Sequence, residues 1–333
     1  MAVEKHSRSS PLRGAVARLG LAAGRVLPVR SLQVLGGALG AAAARGRGRM
    51  REVSELNVAI CLPELEAPAR AALVRRSLVE TGRTAFEMGA VWGRDLEALG
   101  SMIASIEGDG LVDAVRASGR GAVLFLPHLG NWELFSHVLS RHGDFFALYR
   151  PARIAEVDRV MLGARERSRC SMIPATAQGV RRALTALRAG ELLVILPDQE
   201  PVRDHGVFAP LFGVPALTMT LACKLLARTG AAALFGTARR RSDGRFAVHV
   251  RTAPDDLGDP DLEVATAAMN REIEAAVRSC PEQYQWSYKR FRTRPEGELT
   301  PYRATNFRPD TVGRLDPVIR ARLETAGVRP SRG

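Results

Sequence analysis

The feature that most constrains this fold is an alternation of short apolar runs with helix-like patterns along the middle of the chain. The apolar runs, which we predict to be strands, are residues 121–127, 145–150, 170–175, 191–197, 231–238 and 246–252. Apolar residues recur at helical spacing in 68–92, 95–106, 131–141, 156–169, 177–189, 217–229 and 261–279. Because strands that alternate with helices form parallel sheets, we predict an α/β fold with a mostly parallel central sheet and helices on both faces.

Three polar residues stand at the ends of predicted strands. His128 follows one strand, Arg150 closes a second, and Asp198 follows a third. In open parallel sheets, ligands bind beyond the carboxyl ends of the strands. We therefore expect these residues to meet at one edge of the sheet.

The stretch "HLGNWE" places His128 five positions before Glu133. If a helix starts just after this turn, Glu133 can reach back to one imidazole nitrogen and leave the other free as a general base. Backbone N–H groups near Gly130 and Asn131 would then stabilise an oxyanion, and the nucleophile would come from the substrate. The spacing alone favours a helix-capping Glu133 and a plain turn histidine, and the polar residues at the other strand ends are what favour the catalytic pair.

Other polar residues near these strand ends have two interpretations each. Arg150 would bind a phosphate or a carbonyl oxygen, or form a surface salt bridge. Asp198 and Gln199 would orient a substrate group or the arginine, or make an ordinary polar turn before a proline. Asp198 with Asp204 and His205 matches no spacing of metal ligands, so we predict no metal site.

Two aromatic segments are also open to two interpretations. Phe208, Leu211 and Phe212 lie in a predicted Gly/Pro-rich loop before a helix, 206–218, which would be a lip over an apolar groove or part of the core. Segment 281–297 interleaves aromatic rings with Lys and Arg. This mixture is typical of a nucleic-acid stacking surface and of a membrane-interface belt.

The net charge of +13 is concentrated at the two ends of the chain. Residues 1–49 hold nine Lys/Arg against one acid, and residues 300–333 hold seven Arg against three acids. Such ends favour an anionic partner, which would be nucleic acid, anionic lipid or an acidic carrier protein. The four cysteines are scattered without a CxxC pair, which indicates neither a disulfide framework nor a zinc site.

The N-terminal 50 residues are basic and apolar in short pieces. Their longest uncharged run, Ser31–Ala44, has fourteen residues, whereas a membrane span needs about 20. We predict an amphipathic segment at 1–50 that lies in the membrane interface, with a disordered Arg-rich tail as the alternative. A catalytic domain at 51–299 and a loosely packed Arg-rich tail at 300–333 complete the predicted organisation.

Five motifs occur in a characteristic order: "HLGNWE", "YRP", "GVRRALTALRAGELLVILPDQEP", "FGVPALT" and "PEQYQWSYKRF". In this order they resemble the lipid A biosynthesis lauroyl/myristoyl acyltransferase family, a branch of the lysophospholipid acyltransferase superfamily. The resemblance runs from about residue 57 to 297. It differs at the N-terminus, where members often carry a fuller membrane anchor, and in the long Arg-rich C-terminal end.

The resemblance implies a glycerolipid-acyltransferase-like fold and a reaction. The family transfers a fatty acyl chain from acyl carrier protein, or sometimes coenzyme A, to a hydroxyl of a phosphorylated lipid A precursor. It works at the cytoplasmic face of the inner membrane without a metal or organic cofactor. By this resemblance His128 is the general base, Glu133 its orienting carboxylate and Arg150 a phosphate or carbonyl contact, while Asp198 and Gln199 form a turn beside the site.

Two other functions remain open from the residues. The acceptor would be a glycerolipid, an aminolipid or a mannolipid if only the superfamily chemistry is shared. A basic nucleic-acid-binding protein would use 281–297 as its stacking surface, although it would leave "HLGNWE" without a purpose.

Overall fold

The computed structural model of the chain describes residues 11–149, 155–302 and 313–327. The α-helices are α1 Pro11–Val26, α2 Val29–Arg45, α3 Arg49–Cys61, α4 Ala67–Gly93, α5 Leu96–Gly100, α6 Gly110–Ala117, α7 Phe135–Ser140, α8 Ala155–Arg167, α9 Ala177–Arg188, α10 Leu221–Thr229, α11 Leu262–Ser279 and α12 Pro317–Thr325. The strands are β1 Ile103–Glu107, β2 Ala122–Phe125, β3 Phe145–Tyr149, β4 Cys170–Pro174, β5 Leu192–Ile195, β6 Gly206–Leu211, β7 Val214–Met219, β8 Ala232–Arg240 and β9 Phe246–Thr252.

Seven strands form one sheet in the order β1-β9-β8-β2-β5-β3-β4. Strands β8, β2, β5, β3 and β4 run parallel to one another. Strand β9 is antiparallel to β8, and β1 is parallel to β9. The predicted mostly parallel α/β sheet is therefore confirmed.

The apolar core lies on both faces of this sheet. In β2, Val123 and Phe125 join one core cluster, which also contains apolar residues of α9, α10 and α11. Ala122 and Leu124 join the other cluster, with apolar residues of α6 and α7. Strands buried on both faces read as continuous apolar runs, which is why the sequence located β2 and β5 so closely.

Two parts of the fold differ from the sequence prediction. The predicted helix at 95–106 ends at Gly100 as α5, and the residues after it form β1, because they pair with β9 at the edge of the sheet. The predicted loop at 206–218 is an antiparallel hairpin of β6 and β7. Its turn residues, Phe212 and Gly213, both have positive φ, which suits a tight two-residue hairpin turn, and α10 starts only at Leu221.

The N-terminal helices α1 and α2 pack along α4 through glycine. A Cβ built on Gly36 would lie 2.3 Å from the Gly82 carbonyl oxygen, and one built on Gly40 would lie 2.2 Å from the Leu78 oxygen. The helix backbones are therefore in direct contact. Within the described residues, no helix combines the length and apolarity needed to cross a bilayer.

The C-terminal segment 313–327 is firmly packed, so the prediction of a loose tail is wrong there. Helix α12 buries Ile319 and Leu323. Its Arg322 donates hydrogen bonds to the carbonyl oxygens of Ile60, at 2.7 Å, and Phe212, at 2.6 Å. The helix was not predicted because arginines separate its few apolar residues in the sequence.

Candidate active site

His128 and Asp198 meet at the carboxyl edge of the sheet. His128 follows β2 and Asp198 follows β5, and these two strands are parallel neighbours. The imidazole Nδ1 lies 2.7 Å from Asp198 Oδ1, and the backbone N–H of His128 donates to Oδ2 at 3.0 Å. One carboxylate therefore holds both the ring and the backbone of the histidine.

The protonation of this pair follows from its surroundings. Burial alone would raise the pKa of Asp198, but the adjacent His128 and its hydrogen bonds lower that pKa below its ordinary value. A carboxylate can only accept, so Nδ1 carries a hydrogen, and it is Nε2 that holds the lone pair whenever the ring carries one hydrogen. The Gln199 amide nitrogen stands 3.2 Å from Nε2. Nε2 is thus the atom of this pair that can take a proton.

Glu133 makes different contacts from those that the sequence predicted. Its Oε2 accepts from Trp92 Nε1 at 3.0 Å, and its carboxylate accepts from Arg165 Nη2 at 2.6 Å and Nε at 3.3 Å. The reason is local, since Glu133 lies in a 3₁₀ turn, Trp132–Leu134, from which its own side chain reaches Trp92 of α4 and Arg165 of α8. Asp198 holds the nitrogen that had been assigned to Glu133.

The charge of Glu133 is fixed by its partners. Burial favours a higher pKa for this carboxyl, but the Arg165 guanidinium and the Trp92 N–H lower it below the ordinary value. The edge of the Trp132 ring meets the His128 imidazole with 4.7 Å between ring centroids. The turn that carries Glu133 therefore also packs against the histidine.

The predicted oxyanion donors at Gly130 and Asn131 are occupied, so that prediction is wrong. The N–H of Gly130 donates to the Gln283 oxygen at 3.0 Å, and that of Asn131 donates to the Ala238 oxygen at 2.9 Å. Gly130 has φ of +63°, and a Cβ there would lie 1.9 Å from the Ala238 oxygen. The glycine is required for close approach to β8, and its N–H already has Gln283 as its acceptor.

A small, mainly apolar pocket opens beside Glu133 and Arg165. Leu126 and Leu196 line it near the carboxyl edge of the sheet, while Phe145 and Cys170, which begin β3 and β4, line it toward the opposite edge. Its walls are mainly side chains of α7, β3 and the turn Trp132–Leu134. The pocket is an apolar recess that starts at Glu133 and, in this structure, is too small to enclose a long chain.

The two aromatic segments belong largely to the core. Leu211 and Phe212 are buried, so at these two positions the segment is part of the core and not a lip over a groove. In segment 281–297, Tyr284, Trp286 and Phe291 are also buried. The stacking surface and the membrane belt, which both need exposed rings, are therefore wrong for these residues.

Segment 281–297 nevertheless forms a wall of the site. The Gln285 N–H donates to the His128 oxygen at 3.2 Å, and the Gln285 side-chain oxygen lies 3.4 Å from the Gln199 amide nitrogen. The Tyr284 ring is buried close to Asp198, and burial with that negative charge raises the pKa of its hydroxyl well above the ordinary value. The loop at His128 is thus held from the side as well as from the sheet.

The sequence missed Arg165, and Arg150 lies outside the described residues. Nothing local marks Arg165, since it is the first of three alternating arginines in "RERSR" and only the fold shows that it faces Glu133. Asp198, Asp204 and His205 form no metal cluster, and nowhere in the described ranges do three His, Cys, Asp or Glu side chains gather as ligands.

The fold and the site define a class of α/β protein in which a carboxylate-held histidine stands beside an apolar pocket at the edge of a parallel sheet. A family model described as bacterial lipid A biosynthesis acyltransferase matches residues 5–293. The chain belongs to this family and is an O-acyltransferase.

Named relatives span most of the chain. It is 29% identical over 279 residues to the lipid A biosynthesis lauroyltransferase of Escherichia coli (strain K12), which covers 83% of this chain and 90% of that protein. The palmitoleoyltransferase of lipid A biosynthesis from the same strain is 28% identical, with 83% and 90% covered. The corresponding myristoyltransferase is 24% identical, with 81% and 84% covered.

Proposed function

We propose that this protein transfers a fatty acyl chain from an acyl carrier protein thioester, or from coenzyme A, to a hydroxyl of a lipid A precursor. The family and the lauroyl-, palmitoleoyl- and myristoyltransferase names of its relatives support the substrate class. The observation that carries the chemistry is His128, whose Nδ1 is held by a buried carboxylate while Nε2 keeps its lone pair.

In the proposed reaction Nε2 takes the proton of the acceptor hydroxyl as the oxygen attacks the thioester carbonyl carbon. The tetrahedral intermediate collapses, the C–S bond breaks, and the imidazolium returns its proton to the leaving thiolate. Asp198 keeps the ring in one tautomer and stabilises the imidazolium. In this proposal Glu133 does not bond to the imidazole. It holds Arg165, and the turn that carries it packs against His128 through Trp132.

Arg165 is our candidate for stabilising the oxyanion, because the N–H groups of Gly130 and Asn131 already have acceptors. Its guanidinium lines the apolar pocket and is held there by Glu133. Burial disfavours its charge, but Glu133 raises the pKa of Arg165 above its ordinary value, so it stays a cation. Arg150 remains a proposed contact for a phosphate or for the same carbonyl.

The apolar pocket is the proposed entry point of the acyl chain, and its side chains must move apart to admit that chain. A thioester carbonyl near Arg165 would direct the chain between α7 and the sheet, toward Phe145 and Cys170. Burial of each methylene in such a pocket contributes about 0.8 kcal/mol, which is enough to distinguish chains of different length.

The N-terminal helix pair is the proposed membrane contact, at the cytoplasmic face of the inner membrane. Leu19, Val26, Val34 and Leu39 are exposed on α1 and α2. Exposed arginines stand on the same two helices and just beyond them, at positions 25, 30, 45, 47 and 49. Exposed apolar side chains beside arginines suit the surface of an anionic leaflet, and the same basic character suits an acidic carrier protein.

The test is mass spectrometry of the product made by purified protein from acyl carrier protein thioesters of several lengths and a tetra-acylated lipid A precursor. We expect a mass gain of one acyl chain, which is lost in folded His128→Ala. No gain with any chain length by folded protein would reject the lipid A acceptor, and incubation with a total lipid extract would then identify the acceptor lipid.

A further inference from the structure

A buried polar cluster contacts the loop at residues 128–131, which we call the catalytic loop. The cluster is centred on Glu87 of α4, which is fully buried. Glu87 Oε1 accepts from Arg240 Nε at 2.7 Å and from Gln33 Nε2 at 2.8 Å. Its Oε2 accepts from Arg240 Nη2 at 2.6 Å and from Asn131 Nδ2 at 3.2 Å. Four donors from three distant parts of the chain thus converge on one carboxylate.

The cluster holds the loop that follows His128 through several bonds. The Asn131 side chain is one of its members, and the Thr84 hydroxyl, which accepts from Arg240 Nη2 at 2.9 Å, donates to the Gly130 oxygen at 3.3 Å. Gln283 exchanges two hydrogen bonds of 2.7 Å with the backbone of Arg240, and its own carbonyl accepts from the Gly130 N–H. The geometry of Gly130 and Asn131 therefore depends on this cluster.

Helix α2 enters the same cluster through a single side chain. The Gln33 amide donates to Glu87 and also to the Gly244 oxygen, at 2.7 Å, in the turn between β8 and β9. The contact between α2 and α4 is backbone against backbone at Gly36 and Gly40, so the position of Gln33 is fixed by how this helix is seated. A shift of α2 would remove one of the four donors to Glu87.

We propose that Gln33 is a positioning residue for the catalytic loop, so that the N-terminal helix pair completes the active site as well as contacting the membrane. The helix acts through Glu87 and Asn131 on the loop that begins at His128. A buried carboxylate that loses one donor is left partly unsatisfied, so its hydrogen bonds to the remaining donors rearrange. Asn131 makes the longest of these bonds, at 3.2 Å, and is therefore the donor that should move most easily. The link to catalysis rests on the proposed function, whereas the link to loop geometry does not.

The experiment compares Gln33→Met with Asn270→Leu in the full chain. Both replacements keep the side-chain shape and remove a buried amide that joins distant segments, since Asn270 donates to the Pro210 oxygen and to Thr218 Oγ1, each at 3.0 Å. Amide hydrogen exchange is measured on the peptide covering 128–134, with melting temperature as the measure of general stability.

We expect Gln33→Met to speed exchange in 128–134 about tenfold, because the N–H groups of Gly130 and Asn131 lose their fixed acceptors more often. Asn270→Leu should lower the melting temperature without this local change. Unchanged exchange in Gln33→Met, or equal acceleration in Asn270→Leu, would overturn the proposal. Thr84→Val, which breaks the bond to the Gly130 oxygen, is the second variant and should give the same local signature.

Steady-state kinetics test whether Gln33 affects catalysis. In Gln33→Met we expect kcat to fall about fivefold while the KM for the acyl thioester stays within about twofold, since the loop is displaced and the pocket is not. Loss through KM alone would contradict a positioning role. If the wild-type protein transfers no acyl chain, the proposed function fails, and the exchange result still decides whether Gln33 positions the loop.

Discussion

Asp198 and Glu133 are two buried carboxylates near His128, the proposed general base, and they are held by different partners. Asp198 accepts from the ring and the backbone of His128 itself. Glu133 accepts from Arg165 and Trp92. The first carboxylate sets the tautomer of His128, whereas the second forms an ion pair with Arg165 that lines the pocket.

This difference shows how misleading proximity in sequence can be. Glu133 is five positions from His128, yet the carboxylate that reaches Nδ1 is 70 positions away. Adjacent parallel strands β2 and β5 bring those two residues together, because their carboxyl ends share an edge. The comparison makes separate predictions for the two carboxylates.

The largest effect should come from Asp198→Asn. The amide can donate to Nδ1, which would move the imidazole hydrogen to Nε2 and leave no base facing the substrate. We expect kcat to fall by about 10³-fold or more, with little change in the KM of the thioester, measured by acyl transfer under saturating substrate.

Circular dichroism and melting temperature are the controls for that variant. Asp198→Asn keeps its volume, so a folded protein with lost activity supports the tautomer argument. A folded variant that retained more than about a tenth of wild-type kcat would show that Asp198 does not orient the base.

Glu133→Gln should have a smaller effect, by about 10- to 100-fold in kcat/KM. The amide removes the charge that holds Arg165, so the guanidinium is free to leave the pocket mouth. Arg165→Met should cause a similar loss, and the double variant should lose little more than either one, because both act as one unit. Fully additive losses would separate Glu133 from Arg165 and return Glu133 to a direct role at the histidine.

Much of the fold could be predicted from the sequence, and for a physical reason. Strands buried on both faces, such as β2 and β5, must be continuous apolar runs. Strand β1 was predicted as helix because it lies at the sheet edge, where its residues are only partly buried. Its apolar residues therefore continued the helical spacing of α5.

The site was predictable only in part. His128 and Asp198 could be placed at one sheet edge because each follows a predicted parallel strand, but the bond between them depends on which strands are neighbours. Segment 281–297 misled because a sequence does not show that Trp286 and Phe291 are buried. Burial of Arg290 is compensated by bonds to the Leu217 oxygen and Thr218, and such pairing is a property of the fold.

The pocket lies on the Glu133 side of the histidine, so changes there should alter which chain is transferred rather than the base. Ala147 of β3 lines the pocket, and Ala147→Val and Ala147→Phe fill it progressively. We expect the ratio of kcat/KM for longer over shorter acyl thioesters to fall, by about tenfold with Phe. Competition between thioesters of two lengths measures this ratio, and an unchanged ratio would place the acyl chain elsewhere.

The smallest effect concerns stability in acid. The pKa values of Asp198 and Glu133 are both below the ordinary value despite burial, through His128 and Arg165 respectively. Each therefore stabilises the folded protein fully above the ordinary carboxyl pKa, and this stabilisation is lost as the pH falls below about 4 toward the folded value. Denaturant titrations measure the free energy of unfolding at each pH. As the pH decreases, this free energy should fall less steeply in Asp198→Asn and in Glu133→Gln than in the wild type. Parallel curves for all three proteins would mean that neither carboxylate gains from its partner.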